Sequence, residues 1–327
     1  MWIHSLAIAA SLTAAPASNS ATKSLDQQLQ TMLRDFQGRV GVCIKTLDSA
    51  AVCVNRDEKF PLQSVMKMVV GAAVLDLIDQ KKFKLSTRIE VSAADASPGP
   101  QEFADLLAKK GGLSVTIEEL IRRSIVDSDS TSVDVLLQHI GGISVVQEFL
   151  KKKTLDGISI DRNERDVQSD FSGIKWKSEY AAAKKFDQAV NAVPRAKRDE
   201  ALAVYSKDPR DTATPLGMVN FLERLHKGEL LSPSSTQKLI SIMESTATGL
   251  DRLKAGIPKD WKIAHKTGTS AKWNGVTAAT NDVGLLLGPA GQVVSIAVFV
   301  ADSKATNEER AAVIAQSATL ASRSSVK

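Results

Sequence analysis

Three short clusters in the sequence hold side chains that can cooperate in nucleophilic chemistry. In Ser64-Val65-Met66-Lys67, positions i and i+3 at a helix start put a hydroxyl and an amine on one face. Helix-end amides there face any oxyanion that forms. A lysine in so apolar a helix is costly to bury unless it has partners or a task. Ser128-Asp129-Ser130 lies between two predicted helices, where a hydroxyl can relay a proton and Asp129 can tie the loop by accepting backbone amides. His265-Lys266-Thr267-Gly268-Thr269 reads as a strand with a cation, a hydroxyl and, at Gly268, room for a ligand to approach the backbone. Each motif alone is ordinary: a snorkelling lysine beside a capping serine, a turn, a strand. Their order along one chain is the informative feature.

The elements that must position them follow from periodicity. Alternation at Arg39–Leu47 and Ala50–Asn55 predicts a hairpin turning at Asp48-Ser49. From Ser64 to Gln80 the sequence is apolar nearly all round, which predicts a buried central helix. Further helices are signalled at Pro100–Lys110, Thr116–Ile125, Ser132–His139, Ser144–Lys153, Thr214–Lys227 and Ser232–Ser245. The period then changes to two, giving strands at Lys262–Thr269, Thr280–Gly288 and Val293–Ala301, and a last helix at Asn307–Ala321. This predicts an α/β (α+β) fold: an antiparallel sheet built from both chain ends and flanked by helices, with an inserted all-helical domain. The boundaries read as 18–60 and 246–327 for the sheet domain and 61–245 for the helical one.

With S-x-x-K, S-D-S and K-T-G in that order, and helices between the first and third, the sequence resembles the class A serine β-lactamases over nearly its whole mature length. Supporting matches are Leu136–Gly142 (LLQHIGG), Arg210–Pro215 (RDTATP), Gly228–Leu231 (GELL) and the run from Thr248 to Trp261. Gln63, Asp134, Thr269-Ser270 and Thr280–Gly284 (TNDVG) resemble the PER-type extended-spectrum subgroup. The resemblance implies a β-lactam substrate, no cofactor, and an acyl-enzyme on Ser64 with Lys67 helping to deprotonate it. It implies that Ser128 passes a proton to the lactam nitrogen and that the amides of Ser64 and Thr269 form the oxyanion hole. It also implies that Lys266, Thr267 and Arg252 receive the substrate carboxylate, while Gly268 and Ser130 border the substrate. Glu164, in Ile160-Asp161-Arg162-Asn163-Glu164, matches the general base that activates water for deacylation. Arg162 and Asp211 match the salt bridge that closes the omega loop.

Several positions depart from the family pattern. Glu164 and Asp211 lie 47 positions apart, so the omega loop carries an insertion. Its residues 172–210 hold nine Lys or Arg against five Asp or Glu, which reads as a solvated helical excursion. A second alignment puts Asp187 and Asn191 at the base and water-holding positions; Arg162 and the count back to Asp134 favour Glu164. The asparagine that helps to place the water has Gln168 as its nearest match by spacing. Ala96 stands where relatives carry an aromatic wall, which with the enlarged loop predicts room for bulky oxyimino-cephalosporins.

The remaining composition bounds the alternatives. The 327 residues are 43% hydrophobic, with 42 basic against 37 acidic side chains and a net charge of +5, too mixed for a nucleic-acid footprint. Leu6–Ala15 followed by Ala15-Pro16-Ala17 reads as a signal peptide, residues 1–17, and predicts a periplasmic or secreted protein with no membrane anchor after cleavage. The resemblance implies a monomer. Cys43 and Cys53 fall on the paired strands, either as a disulfide or as two buried thiols. Four scattered His and two strand Cys show no metal-ligand spacing. The competing functions are a penicillin-binding D,D-carboxypeptidase, lacking an efficient deacylating base, and a non-hydrolytic β-lactam sensor.

Overall fold

The computed structural model of the chain describes residues 24–98 and 101–325. The apolar leader, residues 1–17, and Pro100, the expected start of one helix, lie outside them. Helix α1 (Leu25–Leu33), capped reciprocally by Ser24 and Gln27, precedes strands β1 (Arg39–Thr46) and β2 (Val52–Val54). Cys43 sits directly opposite Cys53 in this hairpin, and the two form a disulfide with Cα atoms 4.2 Å apart. Facing positions of an antiparallel pair bring the Cβ atoms close enough for the bond.

Strand β3 (Phe60–Pro61) leads into a 3-10 turn, Gln63–Val65, that runs on into α2 (Met66–Asp79). The expected helix thus begins as a tighter turn, and Ser64 lies in it. Every α2 residue from Met66 to Leu77 is buried, as its all-round apolarity requires. Strands β4 (Arg88–Ser92) and β5 (Gly112–Thr116) form a small ladder unforeseen in the sequence, with α3 (Glu102–Lys110) between them. Then come α4 (Ile117–Val126), capped by Thr116, α5 (Ser130–Ile140), capped by Asp129, and α6 (Ile143–Lys152). Gly141, at φ +106°, ends α5 in a conformation that favours glycine.

Helix α7 (Glu164–Phe171) begins where Asn163 accepts the Asp166 amide, so Glu164 is its first residue. A 3-10 turn (Ser178–Ala181), α8 (Ala183–Asn191) and α9 (Arg195–Tyr205) make up the insertion. Strand β6 (Thr212–Ala213) returns to pair with β3. Helices α10 (Pro215–His226) and α11 (Pro233–Glu244) each start with a Thr or Ser cap followed by Pro. The short α12 (Leu253–Gly256) precedes β7 (Lys262–Thr269), β8 (Lys272–Trp273), β9 (Val276–Leu287) and β10 (Val293–Ser303), and α13 (Asn307–Ser324) follows. Strand β9 starts earlier than expected because Asn274 and Gly275, both at positive φ, turn a tight hairpin from β8.

The sheet order is β2-β1-β10-β9-β7, all antiparallel, with β8 paired to β9. Strands from both chain ends therefore share one sheet, joined where β1 pairs with β10. Side chains split by parity: Val298 and Val300 pack with Leu29, Ile314 and Ala318 of α1 and α13. Ala297 and Phe299 pack on the other face with Met218 and Phe221 of α10 and with α2. No helix of the described residues is long and apolar enough to cross a membrane.

The insertion is helical and solvated as expected, with eight of its nine Lys and Arg exposed, and it is also anchored to the rest of the molecule. Tyr180, Phe186 and Tyr205 are buried. Arg198 stacks over Trp273 at 4.2 Å, Trp273 Nε1 donates to Asp199 at 2.8 Å, and Arg195 donates to Asn274 at 3.0 Å. At its other end Trp176 lies under Arg165, 5.2 Å from the ring centre. Composition gives no sign of these contacts, because among the insertion's basic residues only Arg198 is buried, its guanidinium over an aromatic face.

Candidate active site

The 3-10 turn before α2 exists because Gln63 adopts φ +48°, which swings Ser64 to the head of the helix. Strand β7 passes directly alongside. A Cβ on Gly268 would sit 2.5 Å from the Leu62 carbonyl oxygen and 3.2 Å from the Val65 amide, so any side chain there would drive the strand off the helix start. Asn281 locks the same junction from β9, donating to the Pro61 and Leu62 carbonyls at 2.7 and 3.1 Å.

Lys67, one turn beyond Ser64, is fully buried. Its Nζ lies 2.8 Å from Ser64 Oγ, 2.7 Å from the Ser128 carbonyl, 3.0 Å from Ser130 Oγ and 3.1 Å from Glu164 Oε1. An ammonium has three N–H donors, and four oxygens surround this one. Ser128 is held at φ +59° in the loop before α5, and its Oγ accepts from Lys266 Nζ at 2.9 Å. Gln101 fixes that loop from α3's N-cap: its Oε1 accepts the Ser130 and Thr131 amides at 2.7 and 3.0 Å.

Glu164 reaches Lys67 because Asp134 grips the start of α7. Asp134 accepts the Glu164 and Arg165 amides at 2.8 and 3.1 Å and the Ser97 hydroxyl at 2.7 Å. Gln168, one turn along α7, donates to Glu164 Oε2 at 3.2 Å. Behind it, Arg162 makes ion pairs with Asp211 at 2.6 Å, Asp170 at 2.6 Å and Asp208 at 3.2 Å. Asp211 also accepts the Asp161 and Arg162 amides, closing the loop base as expected. Asp187 and Asn191, the alternative pair, lie exposed in and at the end of α8, and only Glu164 stands beside Lys67.

On the far side, Lys266 is fully buried and donates to Ser128 Oγ and the Thr267 carbonyl. Thr267 Oγ1 lies 2.6 Å from Thr248 Oγ1. Arg252 donates to the Thr269 hydroxyl at 2.8 Å and the Asn281 carbonyl at 3.0 Å, with its Nε buried and without a hydrogen-bond partner. The next residue is anchored from the sheet, since Asp282 accepts the Leu253 amide and pairs with His265 at 2.8 Å. All ten candidate residues, Ser64, Lys67, Ser128, Ser130, Glu164, Arg252, Lys266, Thr267, Gly268 and Thr269, thus fall on one connected set of contacts. Ala96 is buried, next to the Ser97 contacts with Thr131 and Asp134.

Burial opposes ionisation of Glu164, but the Lys67 charge and the Gln168 amide outweigh it and hold the carboxyl below its ordinary value. Burial also dominates at Lys266, where with the nearby Lys67 charge it pulls the ammonium well below its ordinary value. Burial and the Glu164 charge push Asp134 up to about 7, against its three donors. Among the described residues no cluster of three or more His, Cys, Asp or Glu could hold a metal. Gln101 and Asn281 escaped the sequence reading. Asn281 carried a signal, a polar side chain in an apolar strand; Gln101 carried none.

A family model described as the beta-lactamase enzyme family matches residues 24–324. Beta-lactamase VEB-1 of Pseudomonas aeruginosa is 34% identical over 299 residues, covering 89% of this chain and 87% of the relative. Extended-spectrum beta-lactamase PER-1 of the same organism is 28% identical over 295 residues, covering 89% and 84%. Among solved structures, the TLA-3 extended-spectrum beta-lactamase superposes with a TM-score of 0.76 at 28% identity, covering 93% of this chain and 98% of that one. A beta-lactamase from Chitinophaga pinensis gives 0.75 at 28%, covering 92% and 98%. The chain belongs to the beta-lactamase enzyme family and is a class A serine β-lactamase, a hydrolase of β-lactams.

Proposed function

We propose that Ser64 is the nucleophile, that Lys67 and Glu164 together take its proton, and that Glu164 later activates the deacylating water. The four oxygens around Lys67 support this. When Glu164 accepts a proton across 3.1 Å, the neutral amine can accept the Ser64 hydroxyl proton across 2.8 Å as the oxygen attacks the lactam carbonyl. The carbonyl oxygen gains its negative charge against the amides of Ser64 and Thr269. As the C–N bond breaks, the lactam nitrogen takes a proton from Ser128 Oγ, which is replenished from Lys67.

Lys266, Thr267 and Arg252 receive the substrate carboxylate, which supplies the counter-charge that Lys266 lacks. Ser130 binds the substrate's side-chain amide, and Gly268 keeps β7 against the nucleophile. In the second half-reaction, Glu164, with Gln168 beside it, takes a proton from water as the water attacks the ester. Glu164 has by then returned its acylation proton to Lys67, which replenished Ser128. As the ester C–O bond breaks, Ser64 Oγ takes back the proton drawn from water, by way of Glu164 and Lys67, and the acyl group leaves as the acid, so turnover repeats.

A single observation carries the reading against a carboxypeptidase or sensor: a buried carboxylate, flanked by Lys67 and Gln168, poised beside the nucleophile. The cleft then lies between a sheet unit (18–60 and 246–327) and a helical unit (61–245). Export to the periplasm fits the leader at residues 1–17 and the Cys43–Cys53 disulfide, which needs an oxidising compartment. Every proposed role falls on one chain, which fits a monomer. Intact-mass measurements with benzylpenicillin test the reading. Wild type should hydrolyse many equivalents and Ser64→Ala should carry no penicilloyl adduct; an adduct on that variant, or a single stoichiometric burst from wild type, refutes it.

A further inference from the structure

The last residue of α9, deep in the insertion, ends beside the nucleophile. Tyr205 is buried, its ring edge-on to Phe171 at 5.3 Å and packed with Val167 and Ala278. Its hydroxyl accepts a hydrogen bond from Gln63 Nε2. Gln63 is the residue immediately before Ser64, buried and at positive φ. The other end of its amide, Oε1, accepts from Gln168 Nε2 at 3.4 Å, and the same Gln168 nitrogen donates to Glu164 Oε2 at 3.2 Å. A continuous relay therefore runs from the insertion to the carboxylate: Tyr205, Gln63, Gln168, Glu164.

We propose that Tyr205 is a positioning residue for deacylation, acting through Gln63 and Gln168 on Glu164. The proposal rests on the reading of Glu164 as the deacylating base. The physical reason lies in the middle of the relay. A buried amide with one end unpaired turns to satisfy itself elsewhere, and a turned Gln63 would present its NH2 to the NH2 of Gln168. Gln168 would then leave Glu164, and the carboxylate would lose the donor that fixes its outer oxygen. The lengthened omega loop thus supplies, from within its own insertion, the anchor for the glutamine standing where relatives use a shorter asparagine. The orientation of a general base counts as well as its presence, since small displacements cost large factors in rate.

The test is Tyr205→Phe, which keeps the ring and removes the hydroxyl. Acylation and deacylation constants are read separately by quenched-flow mass spectrometry with benzylpenicillin. Deacylation should fall about tenfold, the kinetic equivalent of one ordinary hydrogen bond, with acylation, which uses the Glu164 Oε1 beside Lys67 rather than the Oε2 held by Gln168, within about twofold of wild type. Gln63→Leu breaks the same relay from its centre and should show the same split. The double variant should deacylate no more slowly than Gln63→Leu alone. Unchanged deacylation in Tyr205→Phe, equal falls in both constants, or multiplying defects in the double variant overturn the proposal. Glu164→Gln separates the two readings. If it traps the acyl-enzyme while Tyr205→Phe deacylates normally, only the positioning role fails; if it deacylates normally, the base assignment itself fails.

Discussion

Two lysines face each other across the cleft, both with no accessible surface, and their surroundings are opposite in kind. Lys67 has the Glu164 carboxylate at 3.1 Å and sits in a matrix of oxygens supplied by the protein. Lys266 donates only to neutral oxygens, Ser128 Oγ and the Thr267 carbonyl, and has no ion pair among the described residues. A buried charge without a counter-charge is expensive, and here the cost is expressed as an ammonium much less basic than usual. The difference teaches where each partner comes from. On the proposed roles, the lysine that moves protons is neutralised internally, and the one that receives a carboxylate is left for the substrate to neutralise.

Removing the internal partner should have the largest effect. Glu164→Gln should slow deacylation by about 10²–10⁴-fold, the range for loss of a general base, so that acyl-enzyme accumulates in intact-mass spectra. Asp187→Asn, on the exposed face of α8, should leave deacylation unchanged. The reverse pattern would break the comparison at its Lys67 end.

The Lys266 end is tested by Lys266→Gln. Losing the cation should lower kcat/KM for benzylpenicillin by about two orders of magnitude, as for truncating one side of a buried charge pair. The methyl ester of the same penicillin, which carries no carboxylate, should be hydrolysed by wild type and variant at similar rates. A matching loss on the ester would show that Lys266 serves the proton relay rather than recognition.

Next in size is the clasp that holds Glu164 to Lys67. Arg162→Ala leaves Asp211 buried without its partner and should cost about 3–5 kcal/mol in denaturant unfolding. Arg198→Ala removes a stacking contact over Trp273 and should cost about 0.5–2 kcal/mol. Equal losses would mean that the insertion, not the loop base, carries the constraint.

The smallest effect concerns Asp134, a buried carboxyl raised from 3.8 to about 7 chiefly by burial and then by the Glu164 charge. The native state keeps a proton that the unfolded chain has already released, so this group makes stability fall as pH rises between about 4 and 7. Asp134→Asn removes that slope. Its Tm relative to wild type should be higher at about pH 8 than at about pH 5 by roughly 2–4 °C, read by scanning fluorimetry. A pH-independent difference would mean that the three donors facing Asp134 keep it ionised throughout.

Substrate width shows how far local reading reaches. Ala96 in place of an aromatic side chain reads as an opened wall; the residue is buried, and Arg165, which donates to the Asp95 carbonyl, lies over Trp176 of the insertion. The insertion's basic composition reads as solvation, and most of its charges are exposed, while Arg198, Arg195 and Tyr205 reach Trp273, Asn274 and Gln63. In both places composition counts side chains, and only their partners decide which of them meet water.

What the sequence by itself determined was everything set by short-range spacing and strong periodicity. Ser64 and Lys67 share a helix face because they are three residues apart, α2 is buried because it has no polar side, and β7, β9 and β10 are strands at or near their expected spans. The caps at Thr116, Asp129, Thr214 and Ser232 mark helix starts within a residue or two. What only the tertiary structure decided was pairing at a distance. The Cys43–Cys53 bond depended on strand register, and the choice of Glu164 over Asp187 depended on which carboxylate the folded loop brings to Lys67. The passage from Tyr205 through Gln63 to Glu164 joins residues up to 142 positions apart. Such contacts leave no local pattern, because a hydrogen bond is specified by where two atoms arrive and the chain between them is free to take any sequence that folds.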